Sequence, residues 1–275
     1  MLIVIASDQK TAYLQITTMD FQSIIPDKRI SLFVKNIWVF ESGDDSLKTS
    51  LPFFADGYPG LMFQNTAHGL TVRPHNKEMP EIFLYGQTIK PIELEISGAY
   101  NLIIFQLYPF VPRTFFNIDP RSIIDNCCYL EDVKKINIAL LTRKLLGANN
   151  NEQRIEMMSK MLLLYFEERK QNLDYKIRQA IEMIIASKGQ ESIQSVAEKI
   201  RLAIRTFERR FLIETGLSPK QFARIIQFQS SLKQLTVKDY KRLTDIVYEN
   251  GFSDQSHFIR VFKAFTGKTP KAFQL

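Results

Sequence analysis

The 275-residue chain is poor in the residues that build metal centres and covalent cross-links, with two cysteines and three histidines. Cys127 and Cys128 are adjacent, so they cannot readily close an unstrained bridge or chelate one ion together. A disulfide framework is excluded, and the pair fits a partly buried turn in a protein of the reducing cytoplasm. His257 falls in the C-terminal third, which leaves His68 and His75 for the rest of the chain. Two scattered histidines are too few for a site in which several His and a carboxylate converge on a metal. Long apolar runs are missing too: the run at residues 2–6 is too short for a membrane span or a secretion signal and has no basic flank. No P-loop, dinucleotide fingerprint or nucleophile–base pair is visible. No catalytic residue, cofactor or metal ligand is therefore assigned, and the expected location is the cytoplasm.

What the chain has in quantity is repetition. From Phe207 it echoes itself 51 positions later, in Phe207/Phe258, Arg209/Arg260, Phe211/Phe262, Thr215/Thr266, Gly216/Gly267, Pro219/Pro270, Lys220/Lys271 and Phe222/Phe273. Upstream the echo continues at an offset of 50, with Val196/Ile246, Ala197/Val247 and Leu202/Phe252, so the second copy has one extra residue near the start of its second helix. Each copy reads as helix, tight turn, helix. In the second, Leu243, Ile246 and Val247 share a helical stripe, Asn250 and Gly251 break it, and Phe258, Val261, Phe262 and Phe265 make the next. In the first, Val196, Ala197 and Ile200 precede the turn, and Ile204, Phe207 and Phe211 follow it. Such a pair of helices, the second with outward arginines, describes a helix-turn-helix whose second helix enters a DNA major groove. One hairpin of this kind is as readily a plain packing motif; two with matched arginines argue against that.

Charge is distributed in the same way. From Asp174 onward there are 18 Lys and Arg against 10 Asp and Glu, whereas the preceding residues hold 18 against 19. The basic excess falls entirely on the repeat, so a polyanion, double-stranded DNA, is the expected partner of that part of the chain.

The stretch GFSDQSHFIRVFKAFTGKTP (251–270) resembles the signature of the AraC/XylS family of bacterial transcription regulators, and RTFERRFLIETGLSPKQF (205–222) resembles its first helix-turn-helix. The resemblance spans roughly residues 175–273. It implies an opening helix at 175–187, two units joined by a long helix from 219 to about 235, binding to successive major grooves, and contact with RNA polymerase. Carried over position by position, the base readers are Arg205, Glu208 and Arg209 in the first unit and Gln255, Ser256, Ile259 and Arg260 in the second. Helix geometry separately leaves 205, 208, 209 and 212 opposite the buried stripe. Arginine suits guanine O6 and N7, glutamate can accept from cytosine N4, and Ile259 can offer only apolar contact, for example to a thymine methyl. Arg210, Lys220, His257, Lys263, Lys268 and Lys271 are assigned to phosphates. Two positions depart from the usual pattern. Arg201 stands where the turn often has Gly, which strains a positive φ by about 1 kcal/mol or more. Ala203 stands where a capping Ser or Thr is common, forfeiting roughly 0.5–2 kcal/mol.

The N-terminal part carries alternating or apolar runs at 30–40, 61–63, 70–73, 82–85, 92–96 and 102–108, separated by Gly, Pro, Asp and Asn. These predict a β-rich barrel or sandwich. LFVKNIWVF (32–40), LPFFADGYPGLMFQ (51–64) and FLYGQT (83–88) resemble the β-rich domain found on a subset of AraC-type regulators. That resemblance implies a cupin-like barrel that senses a small-molecule effector of unspecified identity or holds a dimer. Trp38, Phe53, Phe54, Phe63 and Phe105 could line a pocket, although aromatics at strand spacing are more often core. Helices at 133–146 and 152–168, interrupted at 147–151, either join the domains or form a homodimer interface. The expected fold is α+β: a β-rich sensor or oligomerisation domain at 1–130, linker or dimerisation helices at 131–171, and an all-α DNA-binding domain at 172–275. Residues 1–18 precede the resemblance and read as an extra strand, an arm or a mis-assigned start. The function expected is sequence-specific transcription regulation. The alternative is an enzyme or small-molecule carrier tethered to DNA, which a convergent polar cluster in the β domain would favour.

Overall fold

The computed structural model describes residues 20–46, 48–130 and 137–274, so the first 18 residues and the predicted helix start at 133 lie outside the described residues. Ten strands open the chain: β1 (Asp20–Ile24), β2 (Val34–Ser42), β3 (Lys48–Phe53), β4 (Gly60–Thr66), β5 (Leu70–Arg73), β6 (Lys77–Glu78), β7 (Ile82–Tyr85), β8 (Ile92–Ser97), β9 (Tyr100–Leu107) and β10 (Cys127–Tyr129). They form two antiparallel sheets, one in the order β1-β2-β9-β4-β7-β10 and one in the order β3-β8-β5-β6. Among the described residues both sheets have free edges, so of barrel and sandwich the domain is the open sandwich.

Alternation along the strands makes the larger sheet a middle layer. Trp38 and Phe40 of β2, Met62 of β4, and Leu102 and Ile104 of β9 pack against Leu51, Leu70, Val72, Leu94 and Ile96 of the smaller sheet. Their neighbours Ile37, Val39, Leu61, Phe63, Ile103 and Phe105 face the other way, into helices. Those helices are α1 (Val111–Phe116), α2 (Ile138–Leu146) and α3 (Asn151–Arg169). Met158, Met161, Leu162 and Tyr165 form the buried side of α3, and Asn151 at its start donates to Glu41 Oε2 at 3.0 Å. The helices expected as linker or dimerisation helices thus pack as a third layer against the larger sheet.

The repeat follows as α4 (Tyr175–Ala186), α5 (Ile193–Lys199), α6 (Ile204–Thr215), α7 (Pro219–Thr236), α8 (Leu243–Glu249), α9 (Gln255–Thr266) and α10 (Pro270–Phe273). Its two halves close in the same way. Thr215 donates to the carbonyls of Phe211 and Leu217, and Thr266 to those of Phe262 and Lys268. Gly216 and Gly267 then end the helices at φ 82° and 74°, and Pro219 and Pro270 start the next helices behind capping Ser218 and Thr269. No helix among the described residues is long and apolar enough to cross a membrane.

The apolar interior does not stop at the domain boundary. One continuous cluster runs from Phe63 and Phe105 through Phe115 and Leu162 to Ile181, Val196, Phe207, Phe211 and Phe222 of the first unit. The second unit has a core of its own, built on Phe228, Leu232, Ile246, Val247, Phe258, Val261 and Phe262.

Candidate nucleic-acid interface

Each half of the repeat places a helix on a turn of the same conformation. The turn after α5 passes through Arg201 at φ 56°, the turn after α8 through Gly251 at φ 72°. In both, paired amides bond back to the preceding helix: Arg201 and Leu202 donate to Glu198 and Ala197, Gly251 and Phe252 to Tyr248 and Val247. The offset of 50 upstream of the second helices therefore corresponds to superposable backbone. Ala203 starts α6 without a side-chain cap, whereas Asp254 caps α9 by accepting from the His257 amide at 2.7 Å.

Burial of one stripe exposes the other. Phe207 and Phe211 are buried on α6, and Arg205, Glu208, Arg209 and Leu212 stand out in solvent. Phe258, Val261 and Phe262 are buried on α9, and Gln255, Ser256 and Arg260 stand out. Ile259 is half-buried against the core of the second unit. Lys220, Lys263 and Lys271 are exposed. His257 is half-buried, with its ring against Phe252 and Nδ1 3.2 Å from Ser253 Oγ.

Two further cations expected at phosphates, the partly exposed Arg210 and the exposed Lys268, also have neighbours within the protein. Arg210 grips Asp174 Oδ2 through Nε at 2.8 Å and Nη2 at 2.6 Å, and so ties α6 to the start of α4. Sequence spacing put Arg210 on the rim of the exposed face but could not reveal a carboxylate 36 residues earlier. Lys268 lines a cleft of about 320 Å³ between the second unit and the sandwich, beside Arg73, Glu93, Pro91 and Phe273.

Between the sheets lies a small cavity of about 40 Å³. Of the aromatics singled out from the sequence, Phe53 and Phe54 line it, together with Met62, Phe83 and Leu94. Phe63 and Phe105 lie on the opposite face of the large sheet. Three of the charged groups at the cavity, Asp56, Asp125 and Lys77, are bonded within the fold. Asp56 accepts from Gln106 at 2.7 Å and from the Tyr58 amide at 3.0 Å, Asp125 from two backbone amides, and Lys77 donates to the Cys127 carbonyl. Burial pushes the Asp56 carboxyl up to about 6 and also raises the Cys127 thiol. Such internally tied groups do not favour the enzyme or carrier alternative.

The comparisons with known proteins match the two parts of the chain separately. A helix-turn-helix domain family matches residues 196–275, and a family described as a domain of unknown function matches residues 22–129. The transcriptional activator RhaS of Citrobacter koseri is 33% identical over 70 residues, 26% of this chain and 25% of that protein. RhaS of Escherichia coli is 31% identical over 77 residues, 28% and 27% of the two chains. The match thus spans about a quarter of the length of these curated relatives. Among solved structures, ToxT from Vibrio cholerae is 14% identical, with 93% of this chain and 98% of that one covered at a TM-score of 0.43. The C-terminal domain of AraT from Geobacillus stearothermophilus is 22% identical, with 36% and 83% covered at 0.34. The C-terminal third of this chain is thus a double helix-turn-helix domain, similar in sequence to part of the transcriptional activator RhaS.

Proposed function

We propose that the protein is a sequence-specific DNA-binding transcription regulator that reads two successive major grooves with α6 and α9. The observation that carries this is the pair of exposed, arginine-bearing faces at matched positions of two alike folded units, on the part of the chain that holds the whole basic excess. Arg205, Glu208 and Arg209 read bases from α6, and Gln255, Ser256 and Arg260 from α9, with Ile259 adding apolar contact. Lys220, His257, Lys263 and Lys271 hold the backbone. Arg210, while paired with Asp174, and Lys268 are the further phosphate contacts.

The N-terminal domain is the part that senses a small-molecule effector or holds an oligomer. Leu140, Leu146 and Leu164 on α2 and α3 are exposed and suit a homodimer contact. RNA polymerase is the further partner, the protein works in the cytoplasm on the nucleoid, and its role is binding rather than catalysis. Fluorescence anisotropy of the full chain on duplex DNA across a salt series tests the central claim. Affinity should fall linearly on a log–log plot, with a slope of about −0.9 per phosphate neutralised. A flat response would remove the DNA reading.

A further inference from the structure

Residues 51–60 are buried without exception, although 54–59 form the connection between β3 and β4. A connecting segment normally runs over the surface, because its backbone groups need water. This one is covered by the DNA-binding domain, and its groups find partners there and in the sandwich. The Ala55 carbonyl accepts from Gln229 Nε2 of α7 at 2.5 Å, and the Pro59 carbonyl from the Leu107 amide at 2.8 Å. Gly57 lies so close to α7 that an added Cβ would come within 2.9 Å of the Phe222 ring.

The segment touches both helix-turn-helix units at the point where they meet. Ala55, fully buried, packs with Leu217, which follows α6, with Ile225 of α7 and with Phe265 of α9. Phe54 enters the core of the second unit and meets Phe273 edge-on, with ring centroids 5.5 Å apart. It is the one residue from outside the repeat in that core among the described residues. The first unit shares a core with the N-terminal domain, while the cleft that holds Lys268 separates much of the second unit from the sandwich. Where the second unit stands relative to the first is therefore set by α7 and by this strap, together with the bond from Gln190 Nε2 to the Glu249 carbonyl at 2.9 Å.

We infer that the β3–β4 strap is a positioning element for DNA recognition: through Phe54, Ala55 and Gly57 it fixes the mutual orientation of α6 and α9 and so the spacing between half-sites that the protein accepts. The inference rests on the DNA reading above. One inserted base pair displaces the second half-site by about 3.4 Å and turns it about the duplex, which a rigid pair of readers does not follow.

The full wild-type chain is used to select duplexes from a random library. The preferred duplex is then remade with one or two base pairs inserted or deleted between its halves. Wild-type protein should discriminate against one inserted pair by at least about tenfold, whereas Phe54→Ala should reduce that ratio to about threefold or less, with base preferences inside each half unchanged. Gln229→Ala, which removes only the bond to the strap carbonyl, should shift the ratio in the same direction if Phe54→Ala fails to fold. Unaltered discrimination in Gln229→Ala and in any folded Phe54→Ala overturns the inference. So does an equal change of affinity at every spacing, because a strap that merely stabilises or occludes the domain acts on all duplexes alike. A wild-type chain that selects no sequence overturns the DNA reading itself, and is told apart by the absence of any preferred duplex.

Discussion

Arg201 holds a left-handed backbone conformation that costs an L-residue with a Cβ about 1 kcal/mol, at a point where the other unit uses Gly251. Arg201→Gly should raise the stability of the protein by up to about 1 kcal/mol, less the larger unfolded-state freedom of glycine. Gly251→Arg should do the reverse, and a Cβ there would also press to 3.1 Å from the Gln190 side chain. Thermal melts of the two variants check this; a lower melting temperature for Arg201→Gly would contradict it. Among the proposed readers, Arg209→Ala and Arg260→Ala should each cost about 1–3 kcal/mol on the preferred duplex and relax choice at a base or two, while Lys271→Ala should weaken all sequences alike. Competition binding with cognate and random duplexes separates the two patterns. Single residues were legible in the sequence where helix periodicity alone decides their direction, as for Arg205 and Arg209. They were not legible where a distant partner decides, as for Arg210 and Asp174.

Elements follow the same logic. The six apolar runs named from the sequence correspond to β2, β4, β5, β7, β8 and β9, and each of these lies inside its sheet. The four strands that periodicity did not mark, β1, β3, β6 and β10, are the four sheet edges. Edge strands are short and carry polar residues or proline, such as Pro52 in β3, because they need satisfy neighbours on one side only. The short α1 escaped for another reason: Val111, Pro112, Thr114, Phe115 and Phe116 are all buried, so it shows no amphipathic period. The strap was invisible as such, since its burial comes from a domain more than a hundred residues later. Its Asp56 yields a pH prediction. The folded-state value of about 6 lies above the ordinary 3.8, because burial penalises the charged form. The stabilising contribution of protonated Asp56 is therefore complete below about pH 4 and is lost as pH rises through about 6. Tyr58 and Tyr85 beside it stay uncharged through this range, with pKa values raised by burial, and His75, Lys77 and Asp125 line the same cavity. Melting temperature should fall between about pH 4 and about pH 6.5, and Asp56→Asn should flatten that fall. An undiminished slope in the variant would exclude Asp56 as the cause.

At the scale of the whole molecule, a sequence boundary near residue 172 separates a β-rich part from a basic helical part, and it falls within residues 130–195, which lie between the two family matches. The packed interior draws its line elsewhere. Phe207 and Phe211 belong to the cluster that contains Phe105 and Leu162, and the break comes within α7, between Ile226 of that cluster and Phe228 of the next. A protein unfolds in units defined by shared burial rather than by descent. Amide hydrogen exchange should therefore show α5 and α6 opening together with the sandwich, and α8 and α9 opening at a lower free energy of their own. Were α5 and α6 to exchange in step with α8 and α9, the division would follow the repeat instead. The two readers, alike in sequence and in local geometry, would thus live on different thermal schedules: warming or a lesion in the sandwich silences one half of the recognition surface with the body of the molecule, while the other half opens and closes with its own core.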